Sequence, residues 1–342
     1  MNNVTKKIII FIFITIFSFL QVISKEVWIY SDEGTWEEGI ISLEQFFKYY
    51  NIPYKKISSY DLNNINDYSN ALAICFPGGF AYYYKIKLNE FAINNIRNYV
   101  NNGGSYVGIC AGAYFASSKV IWEGLEYDYP LNLFDGKAIG SLHDIAPWDN
   151  YKMTEIALNS MNYINKGLNK NWNVLYYGGP YFESNKTNYE IVSFWKDYNY
   201  LPAIINFNYG AGKVLLIGPH LEIEENSDRD SNNFASNLID LESDWDLLYN
   251  LFQWLIPEGT KIINKNDSCE FKLNNNVLTV ISNDNFNHNL SNIIEIYNYM
   301  GILIHKYNYA SSNNINIDIS NFANGIYFIK IDNNIYKFNV LK

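Results

Sequence analysis

Apolar runs that alternate with amphipathic segments predict strands alternating with helices in the first part of the chain. The run at residues 71–76 is apolar throughout, as expected for a strand that is buried on both faces. Further short runs predict strands at residues 27–31, 54–58 and 105–109, and amphipathic segments predict helices at 37–50 and 88–101. Strands and helices that alternate in this way indicate an α/β fold with a mostly parallel sheet.

The pattern changes twice further along the chain. Between residues 121 and 208, strand-like segments at 154–158, 173–177, 189–195 and 203–207 are separated by aromatic, glycine-bearing loops. A buried strand at 212–218 and a helix ending near residue 255 then complete a domain that Pro257 closes. From Gly259 onwards, short β-favouring runs and Asn-rich turns predict a small all-β sandwich at 264–342. Its predicted strands are 277–282, 293–298, 302–307, 315–319, 325–331 and 335–340.

The first residues of the chain, 1–24, predict a secretory signal peptide. Lys6 and Lys7 precede an apolar run at 8–20, and Val22 and Ser24 suit the −3 and −1 positions of a cleavage site. The apolar run is short for a membrane-spanning helix, so no stable membrane span is expected. An uncleaved membrane anchor is the alternative. The main α/β domain is then predicted at residues 26–257.

The charge and the cysteine count narrow the choice of partners. The net charge is −10 and no basic stripe is visible, so a nucleic-acid partner is not expected. The three cysteines, Cys75, Cys110 and Cys269, are too few for a disulfide framework in an exported protein. Their odd number leaves a free thiol to be explained.

Cys110 lies in the sequence pattern of a nucleophile elbow. The strand at 105–109 ends in Gly-Ile-Cys-Ala-Gly, and a helix-compatible run follows. Small neighbours allow the sharp turn that such a nucleophile needs. The start of a helix favours the thiolate form of the cysteine. A buried structural cysteine in a β–α turn is the alternative interpretation.

Two other strand ends carry residues that a cysteine nucleophile would need. Gly78 and Gly79 follow the strand at 71–76, and glycines there allow backbone N–H groups to approach a reacting carbonyl. His220 follows the strand at 212–218, with Glu222 two residues later, as a base and its orienting acid would. Ordinary glycine turns and a structural histidine are the alternatives. Ligands in such sheets bind beyond the carboxyl ends of the strands, where these residues are expected.

Side chains of the neighbouring loops are candidates for a pocket wall, with ordinary packing as the alternative. The candidates are Glu33, Tyr114, Trp148 and Tyr177. In the acidic segment at 224–233, Asp228, Asp230 and Asn232 have the alternate spacing of a calcium loop, but the required glycine and distal glutamate are missing. This segment is therefore interpreted as a solvated acidic loop, with a cation site as the alternative, and neither a metal nor a cofactor is predicted for the catalytic residues.

Three motifs in order resemble the biotin-protein ligase N-terminal domain, a member of the glutamine-amidotransferase-like superfamily with a flavodoxin-like fold. They are Cys-Phe-Pro-Gly-Gly at 75–79, Gly-Gly-Ser-Tyr-Val-Gly-Ile-Cys-Ala-Gly-Ala-Tyr-Phe-Ala at 103–116 and Ile-Gly-Pro-His-Leu-Glu at 217–222. The resemblance implies Cys110 as nucleophile, His220 as base and Glu222 as orienting acid. It also implies an oxyanion hole formed by Gly78 or Gly79 with the amide of Ala111.

The chain departs from these relatives in two ways. Glutamine amidotransferases usually have Leu-Gly-His-Gln after the nucleophile, whereas this chain has Ala-Gly-Ala-Tyr at 111–114, so glutamine is not the expected substrate. The Gly-Arg-Gly-Arg signature of the biotin ligase is absent from the sequence, so biotin ligation is not expected either.

The C-terminal region resembles a type IX secretion C-terminal sorting domain. The matching runs include Ile-Glu-Ile-Tyr-Asn at 294–298 and Asn-Gly-Ile-Tyr-Phe-Ile-Lys-Ile at 324–331. The resemblance implies that the type IX secretion machinery is a partner, and that the protein reaches the cell surface or the medium. A carbohydrate-binding or adhesion module is the alternative.

Together, these patterns predict a secreted cysteine-dependent amidase or hydrolase with a Cys110–His220–Glu222 triad. Its substrate would be an unidentified small molecule or peptide with an amide or acyl group. One alternative is a binding protein that kept the fold and lost turnover. Another is a cysteine peptidase like the PfpI group.

Overall fold

The computed structural model describes residues 25–225, 228–238, 240 and 243–255 of the first part of the chain. In the C-terminal part it describes residues 269–274, 277–282, 293–298, 302–308, 314–323, 325–331 and 334–340. The predicted signal peptide at 1–24 lies outside the described residues.

A nine-stranded sheet forms the centre of the first domain. Its strands are β1 (Glu26–Tyr30), β2 (Tyr54–Ile57), β3 (Ala71–Phe76), β4 (Ser105–Ile109), β8 (Lys152–Leu158), β9 (Asn171–Tyr176), β11 (Glu190–Trp195), β12 (Leu201–Tyr209) and β13 (Gly212–Ile217). Their spatial order is β2-β1-β3-β4-β13-β12-β11-β8-β9. The strands from β2 to β13 are parallel, and this order is that of flavodoxin-like sheets. Beyond β13 every neighbouring pair is antiparallel.

Helices cover both faces of the parallel strands. They are α1 (Glu37–Tyr49), α2 (Ser59–Leu62), α3 (Ala81–Lys87), α4 (Glu90–Asn101), α5 (Ala111–Ala116) and α6 (Trp245–Leu255). Side chains along β1 alternate between two buried clusters, as the period of a strand requires. Val27 and Ile29 pack with apolar side chains of α1 and α6, whereas Trp28 and Tyr30 pack with those of α4. The three-layer arrangement confirms the predicted flavodoxin-like α/β fold.

A second sheet was not predicted from the sequence. It consists of β5 (Ser117–Trp122), β6 (Leu125–Asp128), β7 (Phe134–Gly140) and β10 (Tyr181–Glu183), in the order β10-β7-β5-β6. All four residues of β6 are exposed, so this strand has no buried face and leaves no alternating pattern in the sequence. The sheet matters for the site because β5 follows α5, the helix that begins after Cys110.

The C-terminal region is a small all-β unit, as predicted. One sheet contains β14 (Cys269–Asn274), β15 (Val277–Ser282) and β18 (Asn314–Asp318). The other contains β16 (Ile293–Asn298), β17 (Leu303–Asn308), β19 (Gly325–Ile331) and β20 (Asn334–Val340). Leu278 and Ile317 of the first sheet share a core with Ile296 and Ile329 of the second, which makes a sandwich. Across the described part of the chain, no helix has the length and apolar character needed to cross a membrane.

Candidate active site

Cys110 has the strained backbone of an elbow. It directly follows β4 with φ 47° and ψ −103°, and α5 begins at the next residue. Such a positive φ is rare for a residue with a side chain. The flanking glycines allow close packing: a Cβ on Gly112 would lie 2.0 Å from the carbonyl oxygen of Phe76, and one on Gly108 would lie 2.5 Å from the backbone of Gly112. The sharp turn predicted at 108–112 is therefore present.

His220 reaches the same edge of the sheet because β13 is the direct parallel neighbour of β4. The amide of Cys110 donates to the carbonyl oxygen of Ile217 at 2.8 Å, which ties the two strand ends together. His220 Nδ1 lies 2.8 Å from Glu222 Oε1, and both side chains are buried. Trp245 Nε1 donates to the carbonyl oxygen of Glu222 at 2.9 Å and holds the segment against α6.

The other ring nitrogen of His220, Nε2, belongs to a side chain that shares a cavity with Cys110. Within the part of the chain that the structure describes, Nε2 is buried and has no hydrogen-bond partner. His220 and Cys110 line one small cavity of about 160 Å³ together with Trp148 and Tyr177. The Cys110 thiol donates to the carbonyl oxygen of Tyr177 at 3.6 Å. A ring nitrogen without a partner beside a thiol is an arrangement that can move a proton.

The electrostatics of the pair favour a charged imidazole. Burial opposes the imidazolium form, but the nearby Glu222 carboxylate and Cys110 outweigh burial and raise the pKa of His220 to about 10. His220 is then protonated at neutral pH. Cys75, which lies on β3, differs: its burial, together with the Glu222 carboxylate, raises the pKa of its thiol well above the usual range. This environment distinguishes Cys75 as a thiol that stays neutral.

The turn after β3 is held against the histidine ring. Tyr84 Oη donates to the carbonyl oxygens of Gly78 at 2.9 Å and Pro77 at 3.2 Å. A Cβ on Gly78 would lie 2.6 Å from His220 Cε1, so only glycine fits against this ring. Gly79 has φ 138°, and a Cβ there would lie 2.1 Å from the carbonyl oxygen of Gly34. Among the hydrogen bonds of the described residues, none uses the amide N–H of Gly79 or Ala111.

A larger apolar cavity of about 310 Å³ opens from Cys110. Its lining includes Tyr114 and Trp148, two of the predicted pocket residues. Its other walls come from α3 with the residue before it and from the second sheet with the residue after β6: Phe80, Tyr82, Val120, Trp122, Tyr127 and Tyr129. The last three belong to the aromatic segment 122–129, one of the aromatic loops between residues 121 and 208 that the sequence offered as pocket walls. None of the described residues that line it carries a charged side chain. The cavity therefore suits an apolar group rather than an ion.

Two loop residues differ in their relation to the site. Tyr177 lines the small cavity and stacks on Trp148, with ring centroids 5.5 Å apart. Glu33 does not line either cavity, and its carboxylate forms an ion pair with Lys87 near the surface. The sequence analysis missed Trp36, whose ring meets the His220 ring edge-on at a centroid distance of 4.8 Å. Trp36 lies in the loop between β1 and α1, at the carboxyl edge of the sheet where ligands bind, and this position is the signal that could have identified it.

The acidic segment is not the solvated loop that the sequence analysis predicted. Glu224, Glu225 and Asp230 are buried. Asp230 Oδ2 accepts a hydrogen bond from the amide of Glu224 at 3.0 Å and another from Ser42 Oγ of α1 at 3.3 Å. These contacts fold the segment under α1, and this tertiary packing is not visible in a run of polar residues.

Comparisons with known proteins agree with the motifs. Residues 25–258 match the family model described as biotin-protein ligase, N terminal, and residues 274–340 match that of a secretion system C-terminal sorting domain. An uncharacterized protein of Chlamydia muridarum is 34% identical over 158 residues, which is 44% of this chain and 60% of that protein. A biotin–protein ligase of Schizosaccharomyces pombe is 29% identical over 167 residues, which is 45% of this chain and 26% of that protein.

The alignments thus cover less than two thirds of the length of either curated relative. A solved glutamine amidotransferase from Thermotoga maritima is similar to 68% of this chain and 98% of its own, with 14% identity and a TM-score of 0.47.

Proposed function

The chain belongs to the biotin-protein ligase N-terminal family, and from this premise we propose that its α/β domain is a cysteine-dependent amidase or hydrolase. One observation supports this above the others. The buried Glu222–His220 pair leaves Nε2 without a partner among the described residues, in the cavity that also contains the elbow residue Cys110. A base, its orienting acid and a strained nucleophile are the parts that acyl transfer requires.

In the proposed reaction, Cys110 begins as a thiolate paired with the His220 imidazolium. The sulfur attacks the carbonyl carbon, a C–S bond forms and the carbonyl oxygen takes the negative charge. His220 Nε2 donates its proton to the leaving amine or alcohol, and the bond to that group breaks. Water then attacks the thioester while neutral His220 accepts a proton from it, the C–S bond breaks, and the acid product leaves as the thiolate–imidazolium pair is restored.

Stabilisation of the oxyanion is assigned to two amides at the strand ends. The N–H groups of Gly79 and Ala111 have no acceptor among the described residues. Both amides lie in sharp turns with an unusual backbone conformation. The φ angle is positive at Gly79, and Ala111 directly follows the strained Cys110. Donors fixed in advance stabilise the developing charge without reorganising during the reaction. The role of Gly78 is instead steric. Because it has no side chain, the turn can pack directly against the His220 ring.

The substrate class follows from the cavity of about 310 Å³ beside Cys110. Its described lining is aromatic and uncharged, so we infer that it takes an apolar acyl group. Glutamine would bring an ammonium and a carboxylate group, and these charges would meet no charged partner in this lining. The walls from Phe80, Trp122 and Trp148 suit a phenyl or short alkyl group.

Acyl transfer can be tested with activated esters of two kinds on the full chain. Incubation with a phenylacetyl thioester should add one phenylacetyl group to Cys110, and intact mass and peptide mapping would detect it. A γ-glutamyl thioester should react at least tenfold more slowly, since its charges lose hydration in the cavity. Cys110→Ser should abolish the thioester adduct. Equal reaction of both esters would contradict the substrate class while leaving the nucleophile assignment in place.

The state of the thiol gives a second test, which needs no substrate. Because the pKa of His220 is raised to about 10, the imidazolium persists at neutral pH. Iodoacetamide should therefore alkylate Cys110 at pH 7 at least tenfold faster in the wild-type protein than in His220→Ala. Cys75, buried and neutral, is the internal control. Equal rates in the two proteins would contradict the ion pair.

A binding protein without turnover is the second candidate. The hydrogen bond from the Cys110 thiol to the Tyr177 carbonyl oxygen favours this candidate. In this bond the thiol proton points to Tyr177 and not to His220. The discriminating result is a Cys110 that alkylates no faster than it does in His220→Ala and forms no acyl adduct, while apolar amides still bind the cavity. A peptidase like the PfpI group would instead cleave peptides with an apolar residue at the acyl side.

The sorting domain indicates export and a cell-surface or secreted location. We propose in addition that residues 1–24 are removed as a signal peptide, and that the type IX secretion machinery recognises the C-terminal region and removes it. The intact mass of protein recovered from the native medium should correspond to a chain starting near Lys25 and ending near Pro257. Recovery with the C-terminal region still attached would favour a functional β-module.

A further inference from the structure

Three carboxylates converge at a place that the proposed reaction does not use. Glu225, Asp240 and Asp244 are each buried, with 3%, 8% and 1% of their surface exposed. One oxygen from each lies within 4.8 Å of the others. Glu225 ends the segment that carries His220 and Glu222, and Asp244 directly precedes α6. The cluster therefore lies where two parts of the first domain meet.

Two of the three side chains, Glu225 and Asp244, have oxygens that no described residue satisfies. Among the described residues, Glu225 Oε1 and both side-chain oxygens of Asp244 are buried and have no hydrogen-bond partner. Buried polar atoms are nearly always hydrogen-bonded in proteins. Asp244 precedes the helix, yet its side chain does not accept a hydrogen bond from the first turn of α6. Unpartnered oxygens on Glu225 and Asp244, in a group of carboxylates within 4.8 Å of one another, indicate that a ligand belongs there.

The surroundings of the cluster are rich in negative charge. Glu222, Glu224 and Asp230 lie near it and add further carboxylates. Arg229 Nη2 lies 2.7 Å from Glu224 Oε2, on one of these neighbouring carboxylates. Burying several carboxylates close together is costly, because their like charges repel where little water screens them.

We propose that Glu225, Asp240 and Asp244 bind one Ca²⁺ ion. Carboxylate oxygens are the ligands that hard cations prefer, and the three oxygens fit on a sphere around one ion. Ca²⁺–O distances are about 2.3–2.6 Å, so ligands on opposite sides are up to roughly 5 Å apart. Mg²⁺ usually keeps several of its waters and is bound through one or two carboxylates, so a buried set of three carboxylates suits Ca²⁺ better. An exported protein also meets the Ca²⁺ concentrations that extracellular sites of modest affinity use.

This inference goes beyond the proposed hydrolysis, because it assigns a structural role outside the reacting atoms. The ion would connect the segment at 220–225 to the start of α6. Trp245 already holds the backbone of Glu222 through its indole N–H, and Ser243 Oγ holds Glu224 Oε1 at 2.9 Å. A Ca²⁺ ion between Glu225 and Asp244 would fix the same junction from a third point.

Calorimetric titration of the EGTA-treated full chain with Ca²⁺ tests the proposal. We expect one ion per chain, and a melting temperature about 5 °C higher at a Ca²⁺ concentration of about 100 times the Kd. Tb³⁺ should bind at the same site. Its luminescence should be sensitised by the indole of Trp245, the residue that follows Asp244. Asp244→Asn should weaken Ca²⁺ binding at least tenfold. It should also raise the melting temperature in EGTA, because one repelling charge is gone.

Asp246→Asn is the matched control. It removes an exposed carboxylate from the first turn of α6, where Asp246 Oδ1 accepts from Tyr50 Oη, and it should bind Ca²⁺ like the wild-type protein. Glu225→Gln provides a second variant if Asp244→Asn does not fold. Absence of stoichiometric Ca²⁺ binding, or binding that both site variants retain, would overturn the proposal. Tighter binding of Mg²⁺ than of Ca²⁺ would overturn the choice of ion.

Discussion

Replacing Gly78 by alanine should lower the rate of Cys110 acylation by about 100-fold while the protein stays folded. The added Cβ would lie 2.6 Å from His220 Cε1, closer than carbon atoms can approach. The ring is buried and hydrogen-bonded to Glu222, so it can move away only by losing its alignment with the thiol. A displacement of about 1 Å at a reacting group costs on the order of 100-fold in rate.

The rate is measured as phenylacetyl transfer from the thioester to Cys110, followed by intact mass. Gly104→Ala is the matched control, because its Cβ would lie 2.3 Å from the ring of Tyr99 at the far end of β4. This variant should lose stability through a similar ring clash but acylate at nearly the wild-type rate. If Gly78→Ala acylates as fast as Gly104→Ala, then contact between the turn and the His220 ring does not matter for the reaction.

The residues at the strand ends could be predicted because local chemistry makes them visible. The buried strands β3 and β4 are short apolar runs, and each ends in residues that only a tight turn requires: Gly78 and Gly79 after β3, Cys110 between glycines after β4. The parallel order then determines that these ends share one edge of the sheet. For this reason the motif positions and the strand bounds at 71–76 and 105–109 agree between sequence and structure.

The cavity walls and the acidic cluster could not be predicted in the same way. Trp122 and Tyr127 lie on β5 and β6, which the sequence presented as an aromatic loop, because β6 has no buried face and therefore no apolar alternation. The polar run at 224–233 is typical of an exposed loop, yet Ser42 of α1 covers Asp230. Both features depend on which distant element packs against a segment, and neither composition nor periodicity contains that information.

Replacing His220 by alanine should lower the free energy of unfolding at pH 7 by about 3–5 kcal/mol. The Glu222 carboxylate is fully buried and would lose the imidazolium 2.8 Å from Oε1, while its Oε2 already has no partner among the described residues. A buried charge left without its partner typically costs this much. Adding Glu222→Gln to His220→Ala should recover part of the loss, because the neutral amide removes the isolated charge. Urea unfolding monitored by tryptophan fluorescence would give each value.

The pH dependence of the same stability identifies the cause. The pKa of His220 in the folded protein, about 10, lies above its usual value of about 6.5 in an unfolded chain. The folded state therefore binds the proton more tightly, and the stabilisation is complete below about pH 6.5 and is lost as the pH rises towards 10. The stability difference between the wild-type protein and His220→Ala should shrink steadily over this range. A difference that stays constant from pH 6 to 9.5 would show that the loss in His220→Ala comes from packing alone, and that His220 is not held as an imidazolium.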